Sequence, residues 1–210
     1  MTDLKTHPYA ETIYKKLLSH IKNAKGVSAL MGNLQAESGL YPDRVQGDVP
    51  YSEYSKTYTA NVDNGVISES EFVNNGLGGG GYGLAQWTFY TRKQNLYNFW
   101  KSGGYASIGG ADLGCDFLIH ELKESFPGVY STLVNTTDIL SASNIVLFDF
   151  ESPADQSSSV QQLRAEMGTE IYNTFNGLSG EDVEIDNNGS QQQKKGKRLS
   201  KILLYSSALD

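Results

Sequence analysis

Cysteine is almost absent from this sequence: Cys115 is the only one among 210 residues. No intramolecular disulfide can form, and no cysteine-based metal cluster. Close to Phe117 and Leu118, Cys115 reads as a small core residue rather than a nucleophile. Histidine is scarce as well. His7, His20 and His120 are scattered, with no His-Glu-x-x-His helix and no Gly-x-Ser-x-Gly elbow. They read as surface or satisfied helical residues, and neither a metal site nor a cofactor is expected. Long apolar runs are also missing, and Met1 to Thr6 carries no apolar core of a signal peptide. The expectation is a chain that neither inserts into a membrane nor leaves by its own Sec signal. Basic charge is in deficit: 17 Lys and Arg face 24 Asp and Glu, a net charge of −7. That leaves no broad basic field to displace counterions, so nucleic acid is not an expected partner.

What is present fits one packed domain with generous loops: 39% hydrophobic residues, 22 glycines and a large supply of tyrosine. Helical spacing recurs along most of the chain. Ile13, Leu17 and Ile21 mark a helix from Pro8 to about Asn23, with Thr6 as its cap and Lys25-Gly26 as its break. Val27, Leu30, Met31 and Leu34 mark a second. A third opens at Thr88, carries Leu96, Phe99 and Trp100, and stops at Gly103-Gly104. Asp112 to Phe126 is a fourth, ended by Pro127, and a short helix with Val129 and Leu133 follows. Thr137 opens one containing Leu140, Ile145, Val146, Phe148 and Phe150, closed by Pro153. Val160, Leu163, Met167, Ile171 and Phe175 form the clearest stripe. Residues 41–81 are irregular, with weak strand propensity at Lys56 to Thr59. The sum is a mainly α fold of about seven helices. Gly76 to Gly81 matches a dinucleotide fingerprint only by accident, because no strand precedes it. It reads as a flexible hinge. Beyond Asn176 an acidic and then basic stretch reads as a polar linker, 177–198, leading to an apolar segment, 199–210.

The chemistry concentrates in two stretches. In Gly32-Asn33-Leu34-Gln35-Ala36-Glu37-Ser38-Gly39-Leu40, Glu37 falls about two turns after Leu30, at the edge of the apolar stripe. Gly39 stops the helix and Pro42 forbids its continuation. A carboxyl at the last turn, facing core or cleft, meets desolvation and the negative end of the helix dipole, and both push its pKa up. Such a carboxyl can donate a proton near neutral pH. In Gly81-Tyr82-Gly83-Leu84-Ala85-Gln86-Trp87-Thr88, the glycines allow close backbone approach. Gln86 offers a donor and an acceptor to a sugar, and Trp87 a flat apolar face.

These residues carry a resemblance. Met31 to Ser38, the Gly-Tyr-Gly-Leu-Ala-Gln-Trp segment and Phe148-Asp149-Phe150-Glu151-Ser152-Pro153-Ala154 resemble, in order, the signatures of the phage tail lysozyme family. More remotely they are similar to goose-type lysozymes and lytic transglycosylases. The resemblance spans roughly residues 8–176. It implies an α+β lysozyme-like domain over 1–176, with helices around a cleft and a small irregular β-hairpin insert as one wall. It implies peptidoglycan glycan strands as substrate, cut at the β-1,4 bond between N-acetylmuramic acid and N-acetylglucosamine. Glu37 would be the general acid, with Gln86, Tyr82, Trp87 and Gly83 binding substrate and Glu151 orienting Glu37 or the sugar. Most keep a plainer alternative: Glu37 decorating a frayed helix end, Gln86 holding a hairpin, Tyr82 and Trp87 packing the core, Glu151 pairing with Arg164 or capping a backbone turn. A second carboxylate would come from Asp43, Asp48, Glu53, Asp63, Glu69 or Glu71. Lytic transglycosylation, a glucosaminidase specificity and a non-catalytic wall-binding or tail-structural module are the other readings. Delivery would be by a phage tail or through a lysis pore to the bacterial wall. Other tail proteins or a further lytic domain are the implied partners.

Overall fold

The computed structural model describes residues 3–74 and 80–179. Nine α-helices occur among the described residues: α1 (Ala10–Ile21), α2 (Ala24–Ser38), α3 (Glu53–Asp63), α4 (Glu69–Val73), α5 (Tyr90–Gly103), α6 (Ala111–Ser125), α7 (Pro127–Asn135), α8 (Ile139–Ile145) and α9 (Ser158–Phe175). A π-helical segment, Val146–Glu151, continues α8. The linker and apolar segment proposed for the C-terminus lie outside the described residues from 180 onward, as does most of the glycine tract. Of the linker, Leu178 is described, and it packs on the core.

The fold is built around α2. Every residue from Gly26 to Leu34 is buried, as a helix needs when neighbours surround it. Helix α9 lies along it, with α1, α7 and α8 packed beside. The backbones of α2 and α9 touch at two glycines. A Cβ on Gly32 would strike the Arg164 carbonyl and the backbone of Gly168, and one on Gly168 would meet the Ser28 carbonyl at 2.8 Å. That approach is what brings Arg164 against α2. Helix α2 starts earlier than the sequence suggests. Asn23 caps it by accepting from the Lys25 and Gly26 amides, so Lys25-Gly26 is interior and the break falls at left-handed Lys22.

The expected β-hairpin insert is absent among the described residues. Lys56 to Thr59, read as weakly β, lies inside α3. The inner face of α3 is Ser55, Tyr58, Thr59 and Val62, at helical spacing but half polar. Ser55 Oγ bonds Asp48 and Thr59 Oγ1 bonds the Tyr82 hydroxyl. A periodicity carried by hydroxyls does not register as hydrophobic. Helix α4 follows a capping box, Ser68 with Glu71. The β pairing that remains is two isolated bridges, Val45 with Tyr82 and Tyr82 with Trp87.

Several smaller expectations change. The start of α1 is capped by His7, whose Nδ1 accepts from the Tyr9 and Ala10 amides, rather than by Thr6. His7 is therefore a buried cap, not a surface residue. Thr88 bonds the Gln86 carbonyl, and α5 has no side-chain cap. Asp138, not Thr137, caps α8. Leu140, Leu163 and Phe148 are exposed. The inner face of α9 is instead Arg164, Ala165, Gly168, Ile171 and Phe175. Cys115 is buried, as expected.

Gly32→Ala forces the α2 and α9 backbones apart. It is expected to cost roughly 1–3 kcal/mol of stability, read as a lower urea midpoint at unchanged slope. An unchanged midpoint would show that the two helices do not meet as described.

Candidate active site

Helix α2 ends at Ser38, and left-handed Gly39 returns its amide to the Gln35 carbonyl at 3.0 Å. The last turn opens into a cleft of about 490 Å³ whose walls include Gln35, Glu37, Arg44, Gln86, Arg92 and Glu151. Glu37 faces it with 22% of its side chain exposed. Arg164 Nη2 donates to Glu37 Oε1 at 2.6 Å, and Nη1 donates to Asn33 Oδ1 at 3.2 Å. Asn33 and Glu37 stand four residues apart on one face of α2, so one guanidinium spans both. Asn33 is held in turn by donating to Ser143 O and Oγ.

A second arginine–carboxylate pair supports the opposite wall. Arg92 donates through Nε and Nη2 to Glu121 at 2.7 and 2.8 Å, and Trp87 Nε1 donates to the same carboxylate at 2.9 Å. The Arg92 guanidinium also lies 4.8 Å from the centre of the Phe150 ring. The third wall is a tight turn. Gln86 takes a left-handed φ of 46°, and its Nε2 donates to the carbonyls of Arg44 and Gly83 at 3.1 and 2.9 Å. Arg44 fastens this turn to α2 by donating to Ser38 O at 3.0 Å and Asp48 O at 2.9 Å. Gly83, at φ 79°, leaves no room for a side chain, since a Cβ would sit 2.8 Å from the Trp87 ring. At the rim, Val49 and Phe89 are 76% and 72% exposed.

Glu37, Gln86 and Glu151 are thus brought together in one cleft. Tyr82, Gly83 and Trp87 are not among its lining residues. Tyr82 and Trp87 are each 1% exposed, so the ring faces that the sequence offered to a sugar are occupied by the core. None of the six insert carboxylates lines the cleft either. Asp43 accepts from the Tyr51 hydroxyl and Asp48 from Ser52 and Ser55. Glu151 does not pair with Arg164. Its Oε1 is buried without a hydrogen-bond partner among the described residues, and so is the Oε1 of Gln35. Sequence reasoning missed Asn33, Arg92, Arg44 and Phe89 as parts of the site. For Asn33 a signal existed, its four-residue spacing from Glu37. The two arginines come from loop and distant helix, and nothing local marks them.

A family model described as phage tail lysozyme matches residues 8–175. The chain belongs to the phage tail lysozyme family. No curated protein and no solved structure matches it. Membership supports a lysozyme-like, peptidoglycan-degrading activity of glycosidase or transglycosylase type, acting at the virion tail or the cell wall. Among the described residues no helix is long and apolar enough to cross a membrane.

Among the described residues the carboxyl with a strongly raised pKa is Glu151. Burial, then the neighbouring Glu37 charge, lift it to about 8, against the pull of Arg92 and Arg164. Between its ordinary 4.5 and about 8, the folded protein therefore holds a proton at Glu151 that the unfolded chain has released. This group's contribution to stability is greatest below its ordinary value of 4.5, declines as pH rises to about 8, and stays low above. Glu151→Gln removes the dependence. Its unfolding temperature relative to the parent is expected to be higher at pH 9 than at pH 4. A difference that does not change with pH would contradict the burial of this carboxyl.

Proposed function

We propose that this cleft cleaves the β-1,4 bond between N-acetylmuramic acid and N-acetylglucosamine in peptidoglycan, with Glu37 as general acid. The observation that carries the reading is the placement of the Glu37 carboxyl. It is fixed by Arg164 at the mouth of an open cleft whose walls hold two buried oxygens, on Gln35 and Glu151, that have no partner among the described residues. Sugar hydroxyls and N-acetyl N–H groups are donors that would satisfy them.

In the reaction Glu37 gives its proton to the glycosidic oxygen. The C1–O bond breaks with its electron pair going to that oxygen, and positive charge develops at C1. As the proton leaves, Glu37 becomes the carboxylate to which the Arg164 guanidinium binds best. The contact strengthens as the proton leaves Glu37 and so favours its release to the glycosidic oxygen. Water completing the reaction at C1 gives a reducing end. The 6-hydroxyl of the muramic sugar completing it instead gives a 1,6-anhydro end, the product of a lytic transglycosylase.

Gln86 spends both amide hydrogens on the carbonyls of Arg44 and Gly83, so its part is to hold the turn while its edge faces substrate. Tyr82, Gly83 and Trp87 shape that wall from behind. Contact with the sugar rings falls to exposed Phe89 and Val49 at the rim.

Two measurements test this. Glu37→Gln is expected to lower release of sugar ends from purified peptidoglycan by roughly 10²-fold or more, with folding intact by circular dichroism. Mass spectrometry of the parent's products should show reducing ends. Anhydro ends would replace hydrolysis with transglycosylation, and full activity in the folded variant would leave a wall-binding module. Phe89→Ala removes an exposed apolar platform. It is expected to raise KM about fivefold, roughly 1 kcal/mol, with kcat little changed; an unchanged KM removes Phe89 from the glycan path.

A further inference from the structure

The sequence looks for a second carboxylate in the insert, and the structure leaves all six candidates outside the cleft. Glu151 lies inside it, at the last position of the π-helical segment. Segments of this kind widen the helical turn and are frequent at functional sites. Among the described residues, the charged groups that act on Glu151 are either cations with hydrogen bonds to other acceptors or carboxyls of like charge. From α9, Arg164 gives its two terminal nitrogens to Asn33 and Glu37. From α5, Arg92 gives Nε and Nη2 to Glu121. From α2 and α6, Glu37 and Glu121 present like charge. Helices α7 and α8, packed on the same segment, bring one titratable side chain, Tyr130, whose hydroxyl donates to the His20 carbonyl. The segment's own Asp149 is exposed. Glu151 is therefore a cleft carboxyl with one oxygen buried, no donor on it, and an ionisable carboxyl across from it.

We propose that Glu151 is the second carboxyl of this site, a positioning residue that shares a single proton with Glu37 and holds it while the cleft is empty. This rests on the reading of Glu37 as general acid. Two carboxyls facing one cleft, one of them with a buried oxygen, do not both ionise cheaply, and the proton settles on the buried one that lacks a cationic donor. Arg164 holds Glu37, so the proton rests on Glu151. Passing it to Glu37 moves a proton between the two and leaves the pair's total charge unchanged at one negative. Substrate that excludes water from the cleft thus finds an acid already supplied, without a proton being drawn from bulk solvent. The same burial gives the resting proton its hold, since Glu151 is lifted to about 8.

The test reads protonation directly. In the full chain labelled with ¹³C at glutamate side-chain carboxyls, Glu151 is expected to titrate near 8. In Glu37→Gln, which removes the facing negative charge, the same resonance should move to lower pH. A Glu151 resonance that titrates near the ordinary 4.5, or that ignores Glu37→Gln, overturns the proposal. The second arm is the pH profile of kcat/KM on peptidoglycan. Glu151→Gln is expected to move the alkaline limb down by roughly one unit or more. A uniform fall in rate with the limb unmoved would mean that Glu151 only supports the fold. The two arms fail separately from the enzyme reading. If the parent releases no sugar ends at any pH while Glu151 still titrates near 8 and responds to Glu37→Gln, glycan cleavage falls and the shared proton stands.

Discussion

The Arg164 guanidinium reaching from α9 to α2 is the contact on which the site depends. It is possible only because the two helix backbones touch at Gly32 and Gly168. With ordinary side chains between them, helix axes stand 8–10 Å apart, and an arginine on α9 would reach past α2 rather than along it. Here the fork lies flat enough to take Asn33 and Glu37 together. The arginine side chain is 9% exposed, so its charge is compensated by the Glu37 carboxylate and by the Asn33 amide oxygen rather than by water. Asn33 is in turn locked by Ser143 of α8. The orientation of one cleft carboxyl thus follows from close packing of three helices, not from the loop beside it.

The wall opposite repeats the device with different parts. Glu121 on α6 takes Arg92 from α5 and the indole N–H of Trp87 from the turn. In this way a tryptophan that looks from sequence like a sugar platform becomes an anchor. It fixes the turn carrying Gln86 to the helical body, while Arg44 fixes the same turn to the end of α2. Irregular backbone near a cleft is costly unless its polar groups are satisfied. Residues 41–52 and 80–89 satisfy theirs with two bridges, buried Asp48, and the hydroxyls of α3. Polar side chains do inside this insert what a sheet ladder would otherwise do.

That substitution explains what the sequence showed and what it hid. Helices α1 and α6 stand within a residue or two of where periodicity put them, α7 buries Val129 and Leu133 as expected, and α2 begins before the Lys25-Gly26 break that the sequence suggested. Glu37, at the end of one of those, is in the cleft for the reason its spacing suggested. Helix α3 escaped because its buried face is half hydroxyl, so the period of 3.6 was present but not in the apolar residues. Helix α9 was found but rotated. Its inward face includes a charge and a glycine, residues that hydrophobic counting sends outward, and Leu163 stands exposed instead. The run from Ile139 to Glu151 read as one helix. Its switch to π-helical winding after Ile145 places Glu151 at the cleft, and no residue pattern announces such a switch. The partners of the two arginines lie 29 and 127 residues away in sequence, beyond the reach of any local rule.

Charge adds a constraint on how such a cleft can hold its substrate. The chain carries a net −7, and two of its site arginines are compensated in place, Arg164 by Glu37 and Arg92 by Glu121, while Arg44 is turned to two backbone carbonyls. Little positive field is left to draw in an anionic polymer from a distance, and what remains is screened within about 8 Å at physiological ionic strength. Attraction to peptidoglycan through this site therefore has to come from contact. Buried oxygens of the cleft walls that lack partners among the described residues, and apolar side chains at its rim, are the groups available for it. Contact of that kind acts only after the glycan is already alongside. In the proposed function, bringing enzyme and wall together then falls to something other than the cleft, which is the task a tail-borne location performs.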